Sequence, residues 1–356
     1  MQRRINGCID MVNNATYSAA LVRSISQLPM TGGRILVTGA SGMIGSCLID
    51  MLMLANKYGY SFDVYALGRN RSKLLKRFKA FEESSLLHII EQDIRFPLDD
   101  SIDVDYIIHG ASPADPIMYA NNPTETMLTI FEGTTNMLNY CVRHKKTRML
   151  LLSSFEVYGN NGNHEYSEDD FGAIDMNQIR SCYPESKRNA EILAKSYSHE
   201  FGVNALIARL CSIYGPTMAM DDSKAHAQFL RNAVNKENII LKSKGQQYRG
   251  YCHVIDAVTA MLTILAKGKC GEAYNVSYEG GVSTIADIAR CVSEIAGTGV
   301  VYEQLSTAEE HLYSKPINCV LKNEKLRSLG WKGHYGIKEG LAETLSILIE
   351  MNRDNK

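Results

Sequence analysis

Short apolar runs alternate along the chain with longer segments whose apolar residues recur at helical spacing. The apolar runs lie at residues 35–37, 62–67, 86–90, 104–108, 148–152 and 205–208. The helix-like segments lie between them, at residues 43–57, 72–81, 124–144 and 186–201. Strands that are apolar throughout are typical of a parallel sheet with both faces covered. The pattern therefore predicts an α/β fold built on a doubly wound parallel sheet.

Charge and composition narrow the classes of partner. The chain of 356 residues carries 38 Lys and Arg against 39 Asp and Glu, a net charge of -1. Proteins that bind nucleic acid normally show a basic excess or a basic patch, and neither is evident here. The longest apolar stretch, at 43–54, is interrupted by Ser46, Cys47 and Asp50. It is too short to span a membrane, which takes about 20 residues.

The spacing of the cysteines and the composition of the first thirty residues indicate the cellular compartment. Nine cysteines are scattered along the chain without a CxxC pair, and no His, Asp or Glu cluster has metal-ligand spacing. We therefore expect reduced thiols and no metal. The first thirty residues lack the unbroken apolar core of a signal peptide. We expect a cytoplasmic protein without a nucleic-acid or membrane partner.

A glycine-rich turn follows the first apolar run and opens the first helix-like segment. Glycines there let backbone N–H groups approach a pyrophosphate at the helix N-terminus, where the helix dipole favours anions. This context predicts a dinucleotide site of the Rossmann type. The residues expected to line it are Gly39, Ser41, Gly42, Met43, Ile44 and Gly45.

The end of the second strand bears on the choice of cofactor. An acidic residue that holds the adenosine ribose is usual there, but this chain has Arg69. An arginine fits a 2′-phosphate, so NADP is slightly favoured over NAD. Alternatively, Arg69 stacks on adenine or is simply solvated. Asp93 and Ile94, which follow the third strand, are expected beside the adenine.

Tyr183 and Lys187 stand four residues apart, and two side chains at this spacing on a helix share a face. The ammonium, together with an oxidised nicotinamide ring, would favour the phenolate and lower the pKa of the tyrosine towards neutrality. Ser154 ends the fifth strand, where its hydroxyl can bridge Tyr183 and a substrate oxygen. Because this set lies downstream of the glycine turn, we interpret it as catalytic rather than as surface residues.

These motifs, in this order, resemble those of the extended short-chain dehydrogenase/reductase family of NAD(P)-dependent nucleotide-sugar epimerases, dehydratases and decarboxylases. The resemblance covers about residues 33–345. Further matching motifs lie at 93–94, 109–112, 133–136, 154–159, 214–216, 249, 253–256 and 329–331. Within the family, the stretch at 111–116 is most similar to the UDP-glucuronate decarboxylases.

The resemblance implies a reaction and roles for several residues. Tyr183 would take the proton of the sugar 4-hydroxyl while C4 gives a hydride to a tightly bound NAD or NADP. Tyr183, Lys187 and Ala111 would contact this cofactor. Ser112, Asp115 and Arg249 would contact the nucleotide sugar, with Arg249 reaching its diphosphate as a bidentate donor. A surface arginine is the alternative for Arg249.

Departures from the family pattern bear on the fate of the oxidised sugar. The family's 4,6-dehydratases place an Asp-Glu pair after the serine, whereas this chain has Phe155 and Glu156. Phenylalanine cannot protonate a leaving hydroxyl, so dehydration is not expected. The decarboxylases have a serine at the position of Phe155 and another at that of Asp115, whose carboxylate would repel a carboxylate substrate. Glu156 is interpreted either as a base at C3 or C5 or as a loop hydrogen-bond partner.

We therefore expect a nucleotide-sugar epimerase. A decarboxylase or an NADPH-dependent keto-sugar reductase is the alternative, and a non-catalytic nucleotide-sensing protein is a distant one. The motifs leave open which sugar and which base are bound.

The same resemblance implies a homodimer, because relatives commonly pair through two helices of each subunit. Here those helices lie within 124–144 and 186–201. Their apolar residues exceed what one sheet face needs: Met127, Leu128, Phe131, Met137, Leu138, Ile192, Leu193 and Tyr197.

The regular alternation ends at 214–216, and shorter elements follow. We predict an N-terminal extension (1–31), a Rossmann domain (32–212, with a return near 250–278) and a smaller C-terminal substrate-binding domain (213–249 and 279–350). Residues 275–277 should rejoin the sheet. The extension has an amphipathic pattern at 15–27, which suits either a packing arm or a partly disordered segment.

Overall fold

The fold was analysed in a computed structural model, which describes residues 10–162, 164–303 and 318–354. Residues 1–9 of the predicted extension and 304–317 of the predicted C-terminal domain lie outside the described residues. The strands are β1 (Gly32–Thr38), β2 (Ser61–Gly68), β3 (Leu87–Glu91), β4 (Tyr106–His109), β5 (Arg148–Ser154), β6 (Glu165–Tyr166), β7 (Asn204–Leu210), β8 (Ser212–Tyr214), β9 (Ile239–Leu241), β10 (Tyr248–His253), β11 (Ala273–Val276), β12 (Val282–Thr284), β13 (Val300–Tyr302) and β14 (Val320–Leu321).

The α-helices are α1 (Ala15–Ile25), α2 (Met43–Asn56), α3 (Arg71–Arg77), α4 (Pro116–Asn121), α5 (Pro123–Arg143), α6 (Cys182–Phe201), α7 (Ala225–Val234), α8 (Val254–Lys267), α9 (Ile285–Ala296), α10 (Glu324–Ser328) and α11 (Ile337–Asp354). Short 3-10 helices lie at Lys79–Phe81, Phe155–Tyr158, Ile179–Ser181 and Glu279–Gly281. Among the described helices, none is long and apolar enough to cross a bilayer.

Seven parallel strands form the central sheet, in the order β3-β2-β1-β4-β5-β7-β11. The predicted doubly wound parallel sheet is confirmed, and β11 supplies the predicted return of the chain to it. The strand order reverses between β1 and β4. In such sheets ligands bind at this reversal, outside the carboxyl ends of the strands.

Several boundaries differ from those that the pattern predicts. The strand predicted at 104–108 begins only at Tyr106, because the side chains of Tyr140 and Thr147 bond the backbone N–H and C=O of Val104. The helix predicted at 186–201 begins four residues earlier, at Cys182. Tyr183 therefore lies in its first turn.

Helix α1 is a packing arm. Asn14 caps its N-terminus, and Tyr17, Ala20, Leu21 and Ile25 are buried. The phenol of Tyr17 donates a 2.8 Å hydrogen bond to the fully buried carboxylate of Asp50 on α2. Asp50 is also paired with the buried guanidinium of Arg77. The extension is thus part of the fold from residue 10 onwards, which favours the packing arm over a disordered segment.

A separate hydrophobic cluster stabilises the C-terminal part of the chain. It joins α7, α9 and α11 with β9 through Phe229, Leu230, Ile239, Ile288 and Leu345. The loop before α7 reaches back towards the carboxyl edge of the central sheet, where the hydroxyl of Thr217 bonds the carbonyl of Met43 at 2.9 Å.

Candidate active site

The glycine-rich turn lies between β1 and α2, where the strand order reverses. Gly39 has a φ of +73°, and a Cβ there would lie 3.0 Å from the backbone of Gly110. A Cβ on Gly45 would lie 2.5 Å from the carbonyl oxygen of Gly39. No side chain caps the N-terminus of α2, which begins at Met43. The N–H groups of its first turn are therefore available to a pyrophosphate, and these residues fit a dinucleotide.

The remaining predicted residues of this turn, Ser41, Gly42 and Ile44, lie at the same helix start. Ala111 faces it from the loop after β4, where its N–H and that of Gly110 donate to the hydroxyl of Thr38, each at 3.1 Å. The same hydroxyl lies 2.8 Å from Nδ1 of His109. Burial and the positive charge of Lys187 lower the pKa of His109 to about 3, so the imidazole is neutral and serves packing.

The predicted adenosine end is a network of charged pairs. The exposed guanidinium of Arg69 lies 3.3 Å from the carboxylate of Glu125, which also pairs with Arg95 at 3.1 Å. Hydrogen bonds from Arg95 hold the pKa of Asp93 below its usual value. Ile94 is buried. Arg69 is therefore not a free cation awaiting a 2′-phosphate, which weakens the sequence-based preference for NADP.

Ser154, Tyr183 and Lys187 converge as the sequence predicts, and each is at most 7% exposed. The hydroxyl of Ser154 is hydrogen-bonded to the phenol of Tyr183. The ammonium of Lys187 lies 5.9 Å from the centre of the tyrosine ring, on the same helix face. It donates to the carbonyl of Leu152 at 2.8 Å and to the hydroxyl of Ser112 at 3.1 Å.

The electrostatics of Tyr183 differ from the expectation. Burial raises the pKa of Tyr183 above its ordinary value, and the negative charge of Glu156 raises it further. The ammonium of Lys187 bonds Leu152 and Ser112 and makes no hydrogen bond to the phenol. In the protein alone the tyrosine is therefore protonated at neutral pH, and an oxidised nicotinamide bound nearby would supply a positive charge that lowers its pKa.

Two residues that the sequence reasoning missed, Tyr119 and Arg180, complete the surroundings of Tyr183. The ring of Tyr119 stacks on that of Tyr183, with centroids 4.9 Å apart and planes 11° apart. Arg180 forms a two-pronged ion pair with Glu156, at 3.0 and 3.2 Å. It also donates to the phenol oxygen of Tyr119 at 2.9 Å. Glu156 is therefore held in an ion pair and is not a free base.

Sequence signals for both residues exist. Arg180 precedes Tyr183 by three residues and lies in a 3-10 turn that leads into α6, a spacing that favours a shared face. Asp115 followed by Pro116 is a helix-start signal, and the helix that it opens carries Tyr119.

Asp115 does not have the geometry expected of a substrate contact. One carboxylate oxygen accepts hydrogen bonds from the N–H groups of Ile117 and Met118, and so caps α4. The other oxygen accepts from the N–H of Ser223 at 2.8 Å. These backbone donors give the carboxylate of Asp115 a structural role, since it caps α4 and holds the loop before α7.

Arg249 contacts the residue that follows Ser154. Its guanidinium lies over the ring of Phe155, 5.6 Å from the ring centre, and Phe155 directly follows Ser154. The diphosphate contact predicted for Arg249 remains a prediction. Across residues 10–162, 164–303 and 318–354, no three His, Cys, Asp or Glu side chains converge as a metal site.

Comparison with known proteins agrees with this geometry. The sequence profile of the NAD dependent epimerase/dehydratase family matches residues 35–277. UDP-glucuronic acid decarboxylase 6 of Arabidopsis thaliana is 34% identical over 86% of this chain and 86% of its own length. UDP-glucuronic acid decarboxylase 1 of Xenopus tropicalis is 32% identical over 88% of this chain and 71% of its own length.

Solved structures share the fold at lower identity. UDP-glucuronic acid 4-epimerase from Bacillus cereus, in complex with UDP-glucuronic acid and NAD, has a TM-score of 0.75 at 21% identity, covering 89% of this chain and 99% of its own. dTDP-glucose 4,6-dehydratase from Bacillus anthracis, in complex with NAD, has a TM-score of 0.74 at 20% identity, covering 90% and 97%. The chain thus belongs to the NAD dependent epimerase/dehydratase family, a group of extended short-chain dehydrogenase/reductase enzymes that act on nucleotide sugars.

Proposed function

We propose that this enzyme oxidises a UDP-hexuronate at C4 and then releases the carboxyl group as CO2. The observation that carries the proposal is the pairing of Phe155 with Arg249 beside Ser154. The guanidinium of Arg249 would bind the anionic substrate, and the apolar ring of Phe155 would favour loss of the charged carboxylate as neutral CO2. The names of the two relatives compared above, which are 34% and 32% identical to the chain, support the same reaction, since both are UDP-glucuronic acid decarboxylases.

The first step is removal of hydrogen from C4. Tyr183 accepts the proton of the 4-hydroxyl, and Ser154 donates a hydrogen bond to the same sugar oxygen. Lys187 fixes the active-site loop through Ser112 and the end of β5 through Leu152. A nicotinamide dinucleotide bound at the glycine turn would supply the hydride acceptor.

The second step needs little from the chain, because a carboxylate on C5 is β to a ketone at C4. The electrons of the bond between C5 and the carboxyl carbon move towards the C4 oxygen, and CO2 leaves. Ser154 and protonated Tyr183 stabilise the enolate that forms. A proton from solvent then adds to C5, and Tyr183 returns its proton to the 4-oxygen, while the bound dinucleotide would supply the hydride for C4. No acid is needed at the position of Phe155, in contrast to dehydration.

We infer that the cofactor is NAD. Glu125 pairs with Arg69 at 3.3 Å, and its carboxylate would repel a 2′-phosphate that approached the same guanidinium. Denaturing the purified protein and identifying the released dinucleotide by mass spectrometry tests this. Release of NADP would restore the preference that the sequence suggested.

We also propose a homodimer that pairs through α5 and α6. Four of the eight apolar residues expected in surplus are exposed by 41–63%: Met127, Leu128, Phe131 and Ile192. The other four are buried or partly buried within the chain: Met137, Leu138, Leu193 and Tyr197. The exposed four mark the surface that a second copy would cover.

The reaction is tested by incubating the purified enzyme with UDP-glucuronate and following both CO2 and the sugar product by NMR. Decarboxylation yields CO2 and a UDP-pentose without net reduction of the cofactor. A product that keeps its carboxylate but has the opposite configuration at C4 would instead establish the epimerase predicted from sequence. Absence of any C4 oxidation with UDP-hexuronates would refute the proposed substrate class.

A further inference from the structure

Three side chains from three separate elements lie around Tyr183. Tyr119 comes from α4, Glu156 from the turn after β5 and Arg180 from the turn before α6. All three bond one another, since Arg180 donates to Glu156 and Tyr119, and the phenol of Tyr119 lies 3.4 Å from Glu156. Of the three side chains, Tyr119 packs its ring directly on the ring of Tyr183.

The set contains one positive and one negative charge, and their effects on Tyr183 are opposite. An anion close to a phenol disfavours the phenolate, and a cation favours it. Glu156 raises the pKa of Tyr183 and Arg180 lowers it. Glu156 and Arg180 have side-chain exposures of only 16% and 22%, so solvent screens neither charge fully.

None of the other polar groups named here around Tyr183 pairs with Glu156 as Arg180 does. Ser154 donates a hydrogen bond from the end of β5, and the thiol of Cys182 precedes the tyrosine on α6. Lys187 lies on the same helix face, but its donors go to Leu152 and Ser112. Glu191, one turn further along α6, raises the pKa of Lys187 and pairs with Arg209.

We propose that Arg180 is a positioning residue, which neutralises Glu156 and through Tyr119 fixes the ring of Tyr183, so that the phenol accepts the sugar proton. The inference rests on the proposed role of Tyr183 as the base at C4. Loss of Arg180 would leave the charge of Glu156 uncompensated beside the tyrosine, whereas loss of Glu156 would leave the cation alone.

The test measures the ionisation of Tyr183 directly and needs no substrate. NAD-loaded protein is titrated while the ultraviolet absorbance of phenolate is followed, and a Tyr183→Phe protein provides the reference to subtract. In Arg180→Met, Tyr183 should ionise at a pH higher than in the wild type by about one to two units. In Glu156→Gln it should ionise at a lower pH, and in the double variant near the wild-type value.

Arg188→Met is the matched control. Arg188 lies on α6 five residues after Tyr183, but it donates to the carbonyls of Val157 and Gly172. Its loss should leave the ionisation of Tyr183 unchanged. Arg180→Lys, which keeps the charge, should recover part of the shift.

The proposal is overturned if Tyr183 of the Arg180→Met variant ionises at the same pH as in the wild type. It is also overturned if Tyr183 of the double variant ionises at a pH as high as in Arg180→Met. Should Arg180→Met fail to fold, the Glu156→Gln variant decides. Ionisation of Tyr183 at a lower pH than in the wild type supports the proposal, and ionisation at the same pH overturns it. Because the titration omits substrate, a failure of UDP-hexuronates to react would count against the proposed function and not against the role of Arg180.

Discussion

The ammonium of Lys187 donates a 2.8 Å hydrogen bond to the backbone carbonyl of Leu152. A helix residue is thereby anchored to the strand that carries Ser154. The phenol of Tyr183 takes no hydrogen bond from this ammonium, whose other acceptor is Ser112 at 3.1 Å. Lys187 therefore fixes the geometry of the site by holding α6 against β5, and not by a direct bond to Tyr183.

This anchoring predicts an alkaline limit to the reaction. Burial lowers the pKa of Lys187 to about 8, so the ammonium loses its proton as the pH rises through that value. The rate of C4 oxidation should therefore fall above about pH 8, measured as reduced nicotinamide formed in a single turnover. Lys187→Met should have a low residual rate without this fall. A wild-type rate that stays level to about pH 10 would contradict the prediction.

Replacing Tyr183 with phenylalanine removes the proton acceptor and keeps the ring that stacks on Tyr119. Turnover should fall by about 10²- to 10⁴-fold, the usual contribution of a positioned acid–base group. The unfolding midpoint and the affinity for NAD should stay close to wild type, as checked by thermal unfolding and calorimetry. Near-full turnover in this variant would remove Tyr183 from the mechanism.

Asp115→Ala should destabilise the loop over the active site. The substitution removes the cap of α4 and the bond to Ser223, for an expected loss of about 1–2 kcal/mol in the free energy of unfolding. Urea denaturation measures this loss. Asp115→Asn is the control for the cap, because its amide oxygen can still cap α4 while its amide nitrogen cannot accept from Ser223. Equal stability of Asp115→Ala and the wild type would show that these hydrogen bonds contribute little.

The N-terminal helix should be needed for stability. Tyr17→Phe removes one hydrogen bond from the buried carboxylate of Asp50, with an expected cost of about 1–3 kcal/mol. Deleting residues 1–31 should cost more, because it also uncovers the surface on which Leu21 and Ile25 pack. Thermal unfolding of the two variants beside the full chain tests this. A deletion that melts with the wild type would assign α1 a role other than packing.

The proposed dimer predicts that Phe131→Glu yields a monomer. Phe131 is 46% exposed on α5, and a charge at the centre of an apolar interface is costly. Light scattering at micromolar concentration measures the mass. Phe171→Glu is the control, since Phe171 is 83% exposed in the loop before α6 and lies outside the proposed interface. A monomeric wild type would refute the homodimer itself.

The sequence by itself determined the central sheet, the glycine turn and the shared helix face of Tyr183 and Lys187. Each of these is encoded locally. Continuous apolar runs specify strands covered on both faces, a glycine cluster specifies the helix start, and a spacing of four residues places two side chains on one helix face. Residues close together in the sequence are enough to specify such features, without knowledge of long-range contacts.

Only the tertiary structure decided how the charges of the site are paired. Glu156 is bound by Arg180, Arg69 by Glu125 and Asp115 by the N–H of Ser223, 108 residues away. Each of these side chains would be equally compatible with its own local segment if it faced solvent or a ligand. A hydrophobic pattern specifies which face is buried, but the partner of a charge depends on which distant segments meet. The sequence-based preference for NADP, the interpretation of Glu156 as a base and that of Asp115 as a substrate contact were weakened for this reason.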